Sequence, residues 1–482
     1  METWEQQMSE RSASEHSSPV TFRFENIGPV KDAALGLSRL TIIAGRNNTG
    51  KTYIAYSLYG FLKTWGDSRA GARHRLKGWR FFGDFVEGVS AMLRDSGRAE
   101  MPVSLSAIAD HRRSLARELG VAFSMNLPGV FSSRRDSFPG AAFHIDMDDD
   151  TAAKLPSPLR LPFGRTAIAM THDGTDLVAQ VDGSRESHRG APSVWSVAQA
   201  YCVFLLRDVL PDPFILSAER FGISLFYREL DFRKNQLVDL LQKLGDERPR
   251  KSVSPYVIID RATSRYAMPI KDNIDFTRDI PDLPKDGSAL ADYRLFDDVK
   301  DLVGGYYGNA TEDIRFISKA RGKGRSFNIP LHLASSSARG LSDLYFFLRH
   351  TATRDQLLII DEPESHLDTR NQMLFARMLA RFVTAGLRVL ISTHSDYLVK
   401  ELNNLIMLSR DFPEREAVAR KLGYQPDEGL DPGSVRAYVA EGGGLTECEI
   451  GPFGIEMPVF DDTIDQINEA SIELSSRAVE GS

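Results

Sequence analysis

The chain has 482 residues, more than one hydrophobic core usually supports, so two or three structural units are expected. Hydrophobic residues make up 42% and charged residues 26%, as in soluble globular proteins, and the formal net charge of −7 argues against a protein that coats nucleic acid. The two cysteines, Cys202 and Cys448, have no CxxC spacing, which excludes a disulfide scaffold and a zinc site.

Residues 1–18 are rich in Ser and Glu and have no apolar segment of the kind a signal peptide needs, so a disordered tail is predicted. The chain has no apolar run of the roughly 18 residues that a membrane span needs, and a cytoplasmic location is expected. Residues 19–62 are predicted to form the first lobe of a nucleotide-binding domain. Two strand-like stretches separated by a turn at residues 26–29 lead into an apolar strand at residues 40–44.

Residues 45–52 read Gly-Arg-Asn-Asn-Thr-Gly-Lys-Thr, which is G-x-x-x-x-G-K-[ST] between a predicted strand and a predicted helix. Glycines let such a loop wrap a phosphate chain while backbone N–H groups point at the anion. Lys51 is predicted to reach the β- and γ-phosphates of ATP, and the Thr52 hydroxyl to complete a Mg²⁺ shell. The predicted nucleotide contacts of the loop are Arg46, Asn47, Asn48, Thr49, Gly50, Lys51 and Thr52. The alternative is an ordinary glycine turn.

Residues 63–210 are predicted to form a largely helical insertion. Apolar residues recur three and four apart at residues 81–93, 108–119 and 194–206. Residues 125–158 are rich in Ser, Asp, Pro and Gly and are predicted to be loop. Two short runs at residues 166–171 and 176–181 predict strands.

Residues 211–228 are predicted to return to the nucleotide-binding core through an apolar strand at residues 213–216. The polar groups that follow, at residues 217–220, lie where α/β sheets hold ligands. Residues 229–334 are predicted to form a helical arm with a β-hairpin. Its predicted elements are helices at residues 230–244 and 290–303 and a hairpin at residues 314–333. The chain shows no internal repeat and no long heptad array.

Residues 335–410 are predicted to form the second lobe, in which an apolar run at residues 357–360 precedes Asp361 and Glu362. Buried parallel strands have this apolar form. At the carboxyl end of such a strand, Asp361 is predicted to bind Mg²⁺ beside Thr52. Glu362 is predicted to be the general base that polarises water for in-line attack on the γ-phosphate. Many strands end in acidic residues, so this pattern alone says little. It indicates a nucleotide site because the same chain contains the phosphate loop.

His394 follows the next predicted strand, at residues 387–391. A lone His at a strand end is more often structural, but one βαβ unit after an acidic strand an imidazole can reach a γ-phosphate and help fix the water. Upstream, Ser335, Ser336 and Ser337 precede a helical run. Such serines are usually N-caps, and the same geometry can bind an anion.

Residues 411–482 are predicted to form a C-terminal hairpin around three glycines and a helix, for which Thr463 and Gln466 supply a capping-box pattern. Three basic clusters, at residues 69–80, 248–251 and 319–325, are either solvated loops or contacts to a nucleic-acid backbone, which would be salt-dependent. Aromatic residues beside the first cluster could stack on bases or belong to a core.

This order of motifs resembles the ABC-type ATPase heads of the SMC and OLD families, and most closely the prokaryotic anti-phage defence ATPases, such as the Septu ATPase subunits. The resemblance covers residues 20–62 and 214–408 and includes Ser-Ala-Glu-Arg at 217–220 and Asp-Glu-Pro-Glu-Ser-His-Leu-Asp at 361–368. The implied fold is α/β, an ABC-type ATPase head with a P-loop NTPase sheet, helices and an antiparallel β layer, plus mainly helical insertions.

The resemblance further implies a head-to-tail dimer, or a higher oligomer, with ATP held between subunits. Ser336 is favoured for the signature position that contacts the γ-phosphate across the interface, with Ser337 beside it; Asp368 would be the cross-interface acid and His394 the switch histidine. Glu219 stands where related ATPases carry a glutamine. The chain departs from the family in that acid and in lacking Leu-Ser-Gly-Gly.

OLD-family nucleases carry a metal-binding TOPRIM domain after the ATPase. The residues after His394 hold no matching acidic element, so a nuclease partner is expected to be a separate polypeptide. The leading prediction is therefore an ATPase subunit of an anti-phage defence complex that dimerises around ATP and controls a separate effector. The alternatives are an ATP-gated scaffold with little turnover and an SMC-like DNA-repair ATPase, which the missing heptads weaken.

Overall fold

The computed structural model describes most of the chain, namely residues 20–69, 83–163, 166–182, 193–226, 266–284, 287–309, 314–319, 326–425, 427–457, 466 and 468–476. The predicted tail, the helix at 230–244, the capping box at Thr463 and most of the three basic clusters lie outside these residues. The chain divides into two compact units. Unit one comprises residues 1–37, 60–127 and 138–213, and unit two comprises residues 38–59, 128–137 and 214–482.

The strands lie, in chain order, at β1 (Val20–Ile27), β2 (Val30–Gly36), β3 (Leu40–Ala44), β4 (Arg98–Pro102), β5 (Ala142–Met147), β6 (Leu159–Phe163), β7 (Thr166–His172), β8 (Asp176–Asp182), β9 (Pro213–Leu216), β10 (Gly305–Asn309), β11 (Ile314–Ser318), β12 (Asn328–Pro330), β13 (Leu357–Asp361), β14 (Arg388–Thr393), β15 (Val435–Glu441), β16 (Gly444–Glu447), β17 (Ile450–Gly451) and β18 (Gly454–Ile455).

The α-helices lie at α1 (Lys51–Arg69), α2 (Gly83–Ser96), α3 (Leu105–Ser124), α4 (Leu127–Val130), α5 (Asp149–Ala153), α6 (Val194–Leu206), α7 (Met268–Asp279), α8 (Leu295–Val303), α9 (Ser336–Gly340), α10 (Ser342–Phe346), α11 (Thr369–Thr384), α12 (Asp396–Leu408) and α13 (Arg415–Leu422). Residues 220–226 are also helical. Among the described helices, none is long and apolar enough to cross a bilayer.

Unit one contains an antiparallel sheet in the order β2-β1-β5. Side chains alternate along β1, so that Phe22 and Phe24 are fully buried and pack on Phe143 of β5. The prediction of loop over residues 125–158 was therefore wrong, since β5 and α5 lie there. Buried and partly exposed side chains alternate along β5, but it has only two buried positions, Phe143 and Ile145. Because polar, Pro and Gly residues surround so short a pattern, the sequence shows no strand signal there.

A second antiparallel sheet of unit one has the order β4-β8-β7-β6, in which β7 and β8 match the two predicted strands. Helices α2 and α6 contact this sheet, whereas α3 contacts β5. The described part of residues 63–210 therefore combines helices with strands. Arg112 of α3 is 1% exposed and donates to backbone carbonyls, including that of Leu205 at 2.7 Å. Its guanidinium joins α3 to the end of α6 by satisfying carbonyls that a helix end leaves free.

Unit two is built on a sheet that, in the described part of the chain, has six strands in the order β16-β15-β3-β14-β13-β9. Strands β15, β3, β14 and β13 are parallel, and β16 pairs antiparallel with β15 as the predicted C-terminal hairpin. Residues of β3 and β13 are buried throughout, as expected of central strands with both faces covered. The predicted α/β class with a P-loop sheet and an antiparallel sheet is confirmed.

The predicted hairpin of the arm is present as β11 and β12 in unit two, and β10 extends it to three strands. The sequence of β10, Gly-Tyr-Tyr-Gly-Asn, has no aliphatic residue and so gave no strand pattern. A Cβ on Gly305 would lie 2.6 Å from the Ile317 carbonyl oxygen, so this close approach requires glycine.

Candidate nucleotide site

The site residues of unit two meet at one edge of the parallel sheet. In register, Ala44 of β3 lies beside Thr393 of β14, and Ser392 of β14 lies beside Asp361 of β13. Since parallel strands end on the same side, three segments are brought together: the P-loop (residues 45–52), the acidic turn after β13 (residues 362–366) and the end of β14. Ligand sites in α/β sheets lie at such an edge.

The P-loop joins β3 to α1, and its backbone uses conformations that favour glycine. Gly45 has φ +147° and Gly50 φ +99°, and Asn48 is left-handed at +63°. A Cβ on Gly45 would lie 2.6 Å from the carbonyl oxygen of Ala440 on β15. Arg46, Asn47 and Asn48 are exposed, and the Thr49 hydroxyl donates to the Arg46 carbonyl at 2.9 Å. The loop thus has the tight turn and the helix start of an anion-binding loop.

Lys51, the first residue of α1, is 7% exposed. Its Nζ donates to the carbonyl oxygens of Gly45 at 2.9 Å and Arg46 at 2.8 Å, which holds the ammonium across the loop. Burial lowers the Lys51 pKa, and the negative charges of Glu362, Asp361 and Glu364 oppose that shift. The ammonium therefore interacts electrostatically with Asp361 and Glu362, the residues predicted to bind the metal and to activate water.

Asp361 and Thr52 form the candidate Mg²⁺ position. The Thr52 hydroxyl donates to Asp361 Oδ1 at 3.3 Å, and the Ser392 hydroxyl donates to the same oxygen. Asp361 Oδ2 is buried and has no hydrogen-bond partner among the described residues. Burial raises the Asp361 pKa to about 6, which a bound cation would reverse.

The residues present fit Mg²⁺. The ion usually takes one or two protein oxygens and completes its octahedral shell with substrate phosphates and water. Asp361 Oδ2 and the Thr52 hydroxyl would supply such oxygens, and the first has no competing partner in the described part of the chain. The described residues contain no cluster of three or more His, Cys, Asp or Glu suited to holding a metal ion.

Glu362, the predicted general base, begins the turn after β13 with left-handed φ +50°. A non-glycine residue in this region costs roughly 1–2 kcal/mol, so its surroundings must hold it there. Its backbone N–H donates to the Ser392 carbonyl at 3.0 Å, and its carboxylate accepts from Ser365 Oγ at 3.0 Å. The turn places a half-buried carboxylate at the sheet edge next to Asp361.

Arg220 is the residue that holds this turn, and the sequence analysis gave it no role. It is 3% exposed, and its guanidinium donates to the carbonyl oxygens of Asp361 at 2.7 Å and Glu362 at 2.8 Å. Burial lowers its pKa, opposed chiefly by Asp361, then Glu364 and Glu362. A signal was available, since the arginine ends a polar phrase that follows a buried strand.

Glu219 contacts α1: its Oε2 accepts from the Tyr56 hydroxyl at 2.8 Å. Burial, then the charges of Asp361 and Glu219, raises the Tyr56 pKa well above its usual value, so the phenol stays a donor. Glu219 thus lies near the start of α1, and its contact with a nucleotide stays a prediction.

Glu364 is the second site residue that the sequence analysis assigned no role. Its carboxylate is 5% exposed and accepts from the hydroxyl of Thr393 at 2.8 Å and from the backbone N–H of His394 at 2.7 Å. His394, the predicted switch histidine, has its Nδ1 3.2 Å from the same oxygen. The end of β14 is therefore attached to the acidic turn.

Ser336 and Asp368 lie at helix starts, and among the described residues neither hydrogen-bonds the P-loop of its own chain. Ser335 is the N-cap of α9, its Oγ lies 3.1 Å from that of Ser337, and Arg339 donates to Ser336 Oγ at 3.2 Å. Asp368 is the N-cap of α11 and accepts from the Asn371 backbone at 3.0 Å. The predicted roles of these residues in a partner's site stay predictions.

Comparison with protein families matches residues 245–400 to the family described as "AAA domain, putative AbiEii toxin, Type IV TA system". The matched stretch includes the acidic turn and His394 but not the P-loop, and it is less than half of the chain. Among curated proteins no relative matches. The family match and the P-loop sheet support an ATPase domain of the AAA type.

Solved structures similar to this chain include the SMC head domain from Thermotoga maritima, at 10% identity and TM-score 0.29, covering 89% of this chain and 98% of that one. Another is the Smc head domain with an extended coiled coil, bound to the C-terminal domain of ScpA, derived from Pyrococcus furiosus. It has 11% identity and TM-score 0.30, covering 94% of this chain and 98% of that one. At these TM-scores the likeness supports no conclusion about this chain.

Proposed function

We propose that this protein binds ATP with Mg²⁺ and hydrolyses it, and that the nucleotide state controls a separate effector in a prokaryotic defence complex. The observation that carries the proposal is the meeting of Lys51, Thr52 and Asp361 at one sheet edge, with Asp361 Oδ2 buried and unpartnered among the described residues. Asp361 Oδ2 is therefore the oxygen in this arrangement that a metal ion would bind.

Each residue has a defined task in this proposal. The Lys51 ammonium neutralises charge on the β- and γ-phosphates, and the Thr52 hydroxyl and Asp361 carboxylate hold Mg²⁺, which polarises the phosphates when bound. Glu362 accepts a proton from the attacking water, and His394 helps to orient that water. Positioning and electrostatic stabilisation supply most of the rate in phosphoryl transfer, so the hydrogen bonds that Arg220 donates to the turn serve to position Glu362.

The proposal extends to a composite site in which Ser336 and Asp368 of one subunit face the P-loop of another. Its support is that half-buried Ser336 and exposed Asp368 lie at helix starts, where, among the described residues, neither hydrogen-bonds the P-loop of its own chain. The effector is proposed to be a separate nuclease. The toxin–antitoxin description of the matched family is compatible with a defence role.

Phosphate release and nucleotide binding test the enzymatic part. We expect Glu362→Gln to keep ATP affinity within about threefold of wild type while the kcat falls about 100-fold or more, because only the base is removed. Lys51→Ala is expected to lose ATP binding itself. Equal, slow release by wild type and Glu362→Gln, with assembly lost in Lys51→Ala, would instead establish an ATP-gated scaffold. Co-purification with the products of neighbouring genes tests the effector, and recovery of the chain alone would contradict it.

A further inference from the structure

One buried carboxylate, that of Glu364, connects the acidic turn to the end of β14. Oε1 accepts from Thr393 Oγ1 and from the His394 backbone N–H. Thr393 Oγ1 in turn accepts from the Ser395 backbone N–H at 3.0 Å. The backbone of residues 393–395 is therefore positioned on Glu364.

The same oxygen faces the imidazole of His394, whose Nδ1 lies 3.2 Å away on a side chain that is 43% exposed. A negative charge at this distance attracts a proton on Nδ1 and repels a lone pair there. The carboxylate therefore favours the Nδ1–H tautomer of the neutral ring over the Nε2–H tautomer. In that tautomer, Nε2 is the nitrogen available to a ligand.

Glu362 is not the carboxylate that interacts with His394. Its carboxylate accepts from Ser365 Oγ at 3.0 Å, and among the described residues it makes no hydrogen bond or ion pair with His394. Glu364 Oε2, by contrast, is buried without a hydrogen-bond partner in the described part of the chain. Keeping a carboxylate there costs free energy, partly offset by the nearby guanidinium of Arg220. A carboxylate kept buried at this cost is therefore expected to have a function at the site.

We propose that Glu364 is a positioning residue that holds a proton on Nδ1 of His394 and fixes the ring, so that Nε2 is the nitrogen that meets the γ-phosphate or the attacking water. The kinetic part of this inference rests on the proposed ATPase function. The inference about the tautomer of His394 does not depend on that function.

The first test reads the tautomer directly by ¹⁵N NMR of histidine-labelled protein without nucleotide, with His394→Ala identifying the signal among the 10 histidines. Wild type is expected to show His394 protonated at Nδ1, and Glu364→Ala to show a shift towards the Nε2–H tautomer. Glu401→Gln is the matched control: Glu401 is a 1% exposed carboxylate that accepts from Arg377 at 2.6 Å, and its loss should leave the His394 signal unchanged. An unchanged signal in Glu364→Ala overturns the proposal.

The second test is a double-mutant cycle in kcat. Glu364→Ala and His394→Ala are each expected to lower kcat about 10- to 100-fold with a much smaller change in KM, since misplacing a catalytic group has effects of that size. The double variant should be no slower than His394→Ala. Effects that multiply overturn the proposal.

Glu364→Gln, which keeps the size and one acceptor oxygen, guards against a folding defect: partial recovery of kcat at an unchanged melting temperature supports positioning. If Glu364→Gln folds as wild type but shows the wild-type tautomer and kcat, the charge has no such role. Should wild type neither bind nor hydrolyse ATP, the proposed function fails, while the NMR comparison still decides the role of Glu364.

Discussion

Buried acids are the most informative single residues of unit two, and Asp343 of α10 is one that lies outside the predicted nucleotide contacts. It is 4% exposed, and its carboxylate accepts from the hydroxyls of Thr277 at 2.9 Å and Ser342 at 3.3 Å. Burial raises its pKa from 3.8 to about 6, against the lowering effect of those two hydrogen bonds. The folded protein therefore keeps a proton on Asp343 at pH values where the unfolded chain has lost it.

This shift predicts how stability depends on pH. The stabilisation is complete below about pH 4 and is lost as pH rises towards 6, because the folded pKa is the higher one. At ~1.4 kcal/mol per pH unit between the two pKa values, the loss is ~3 kcal/mol. Asp343→Asn does not titrate, so its unfolding free energy relative to wild type should rise by that amount between pH 4 and 7 in urea titrations. The exposed Asp355→Asn is the control, and a parallel pH dependence of Asp343→Asn and wild type would contradict the prediction.

At the scale of elements, Phe221 connects the helix at residues 220–226 to α9 and to the acidic turn. Its ring lies 4.1 Å from that of His366, edge on, and 5.0 Å from the Arg220 guanidinium carbon. A Cβ on Gly340, the last residue of α9, would lie 2.7 Å from Phe221 Cδ1. Only glycine lets α9 approach the Phe221 ring this closely. The positions of the acidic turn and of the serine-rich helix α9 therefore both depend on packing against Phe221.

Gly340→Ala is therefore expected to displace Phe221 and to destabilise the protein by ~1–3 kcal/mol, as overpacking does. Gly222→Ala is the matched control, because a Cβ there meets nothing within 4 Å and alanine favours a helix. Chemical denaturation of both variants checks the prediction. A Gly340→Ala protein as stable as Gly222→Ala would show that α9 can move away from the turn at no cost.

Many of the elements that sequence analysis predicted have a regular apolar pattern, either a continuous run or an alternation. Strands β13 and β9 are continuous apolar runs ending in polar residues, and α6 spans the predicted residues 194–206. Strand β10 was missed because its residues are Gly, Tyr and Asn, without the aliphatic side chains on which the strand predictions relied. Arg220 and Glu364 were missed because their partners are backbone groups and a histidine distant in sequence, which only the register of the sheet brings near.

At the scale of the whole molecule, the proposed composite site predicts that one chain alone does not contain a complete site. Lys51 and Ser336 are the two residues that decide it, since a composite site takes one from each subunit. Lys51→Ala should disable the P-loop, and Ser336→Arg should block the facing surface, so each variant alone is expected to be inactive. A mixture behaves differently under the two arrangements.

With free exchange of subunits in a two-fold dimer, half of the dimers contain one chain of each variant. In each of these, one site has an intact P-loop opposite an intact serine. Mixing equal amounts of Lys51→Ala and Ser336→Arg should therefore restore about a quarter of the wild-type phosphate release. A site complete within one chain would recover nothing on mixing. Co-purification of differently tagged variants confirms exchange, so mixed dimers that form yet stay inactive would refute the composite site.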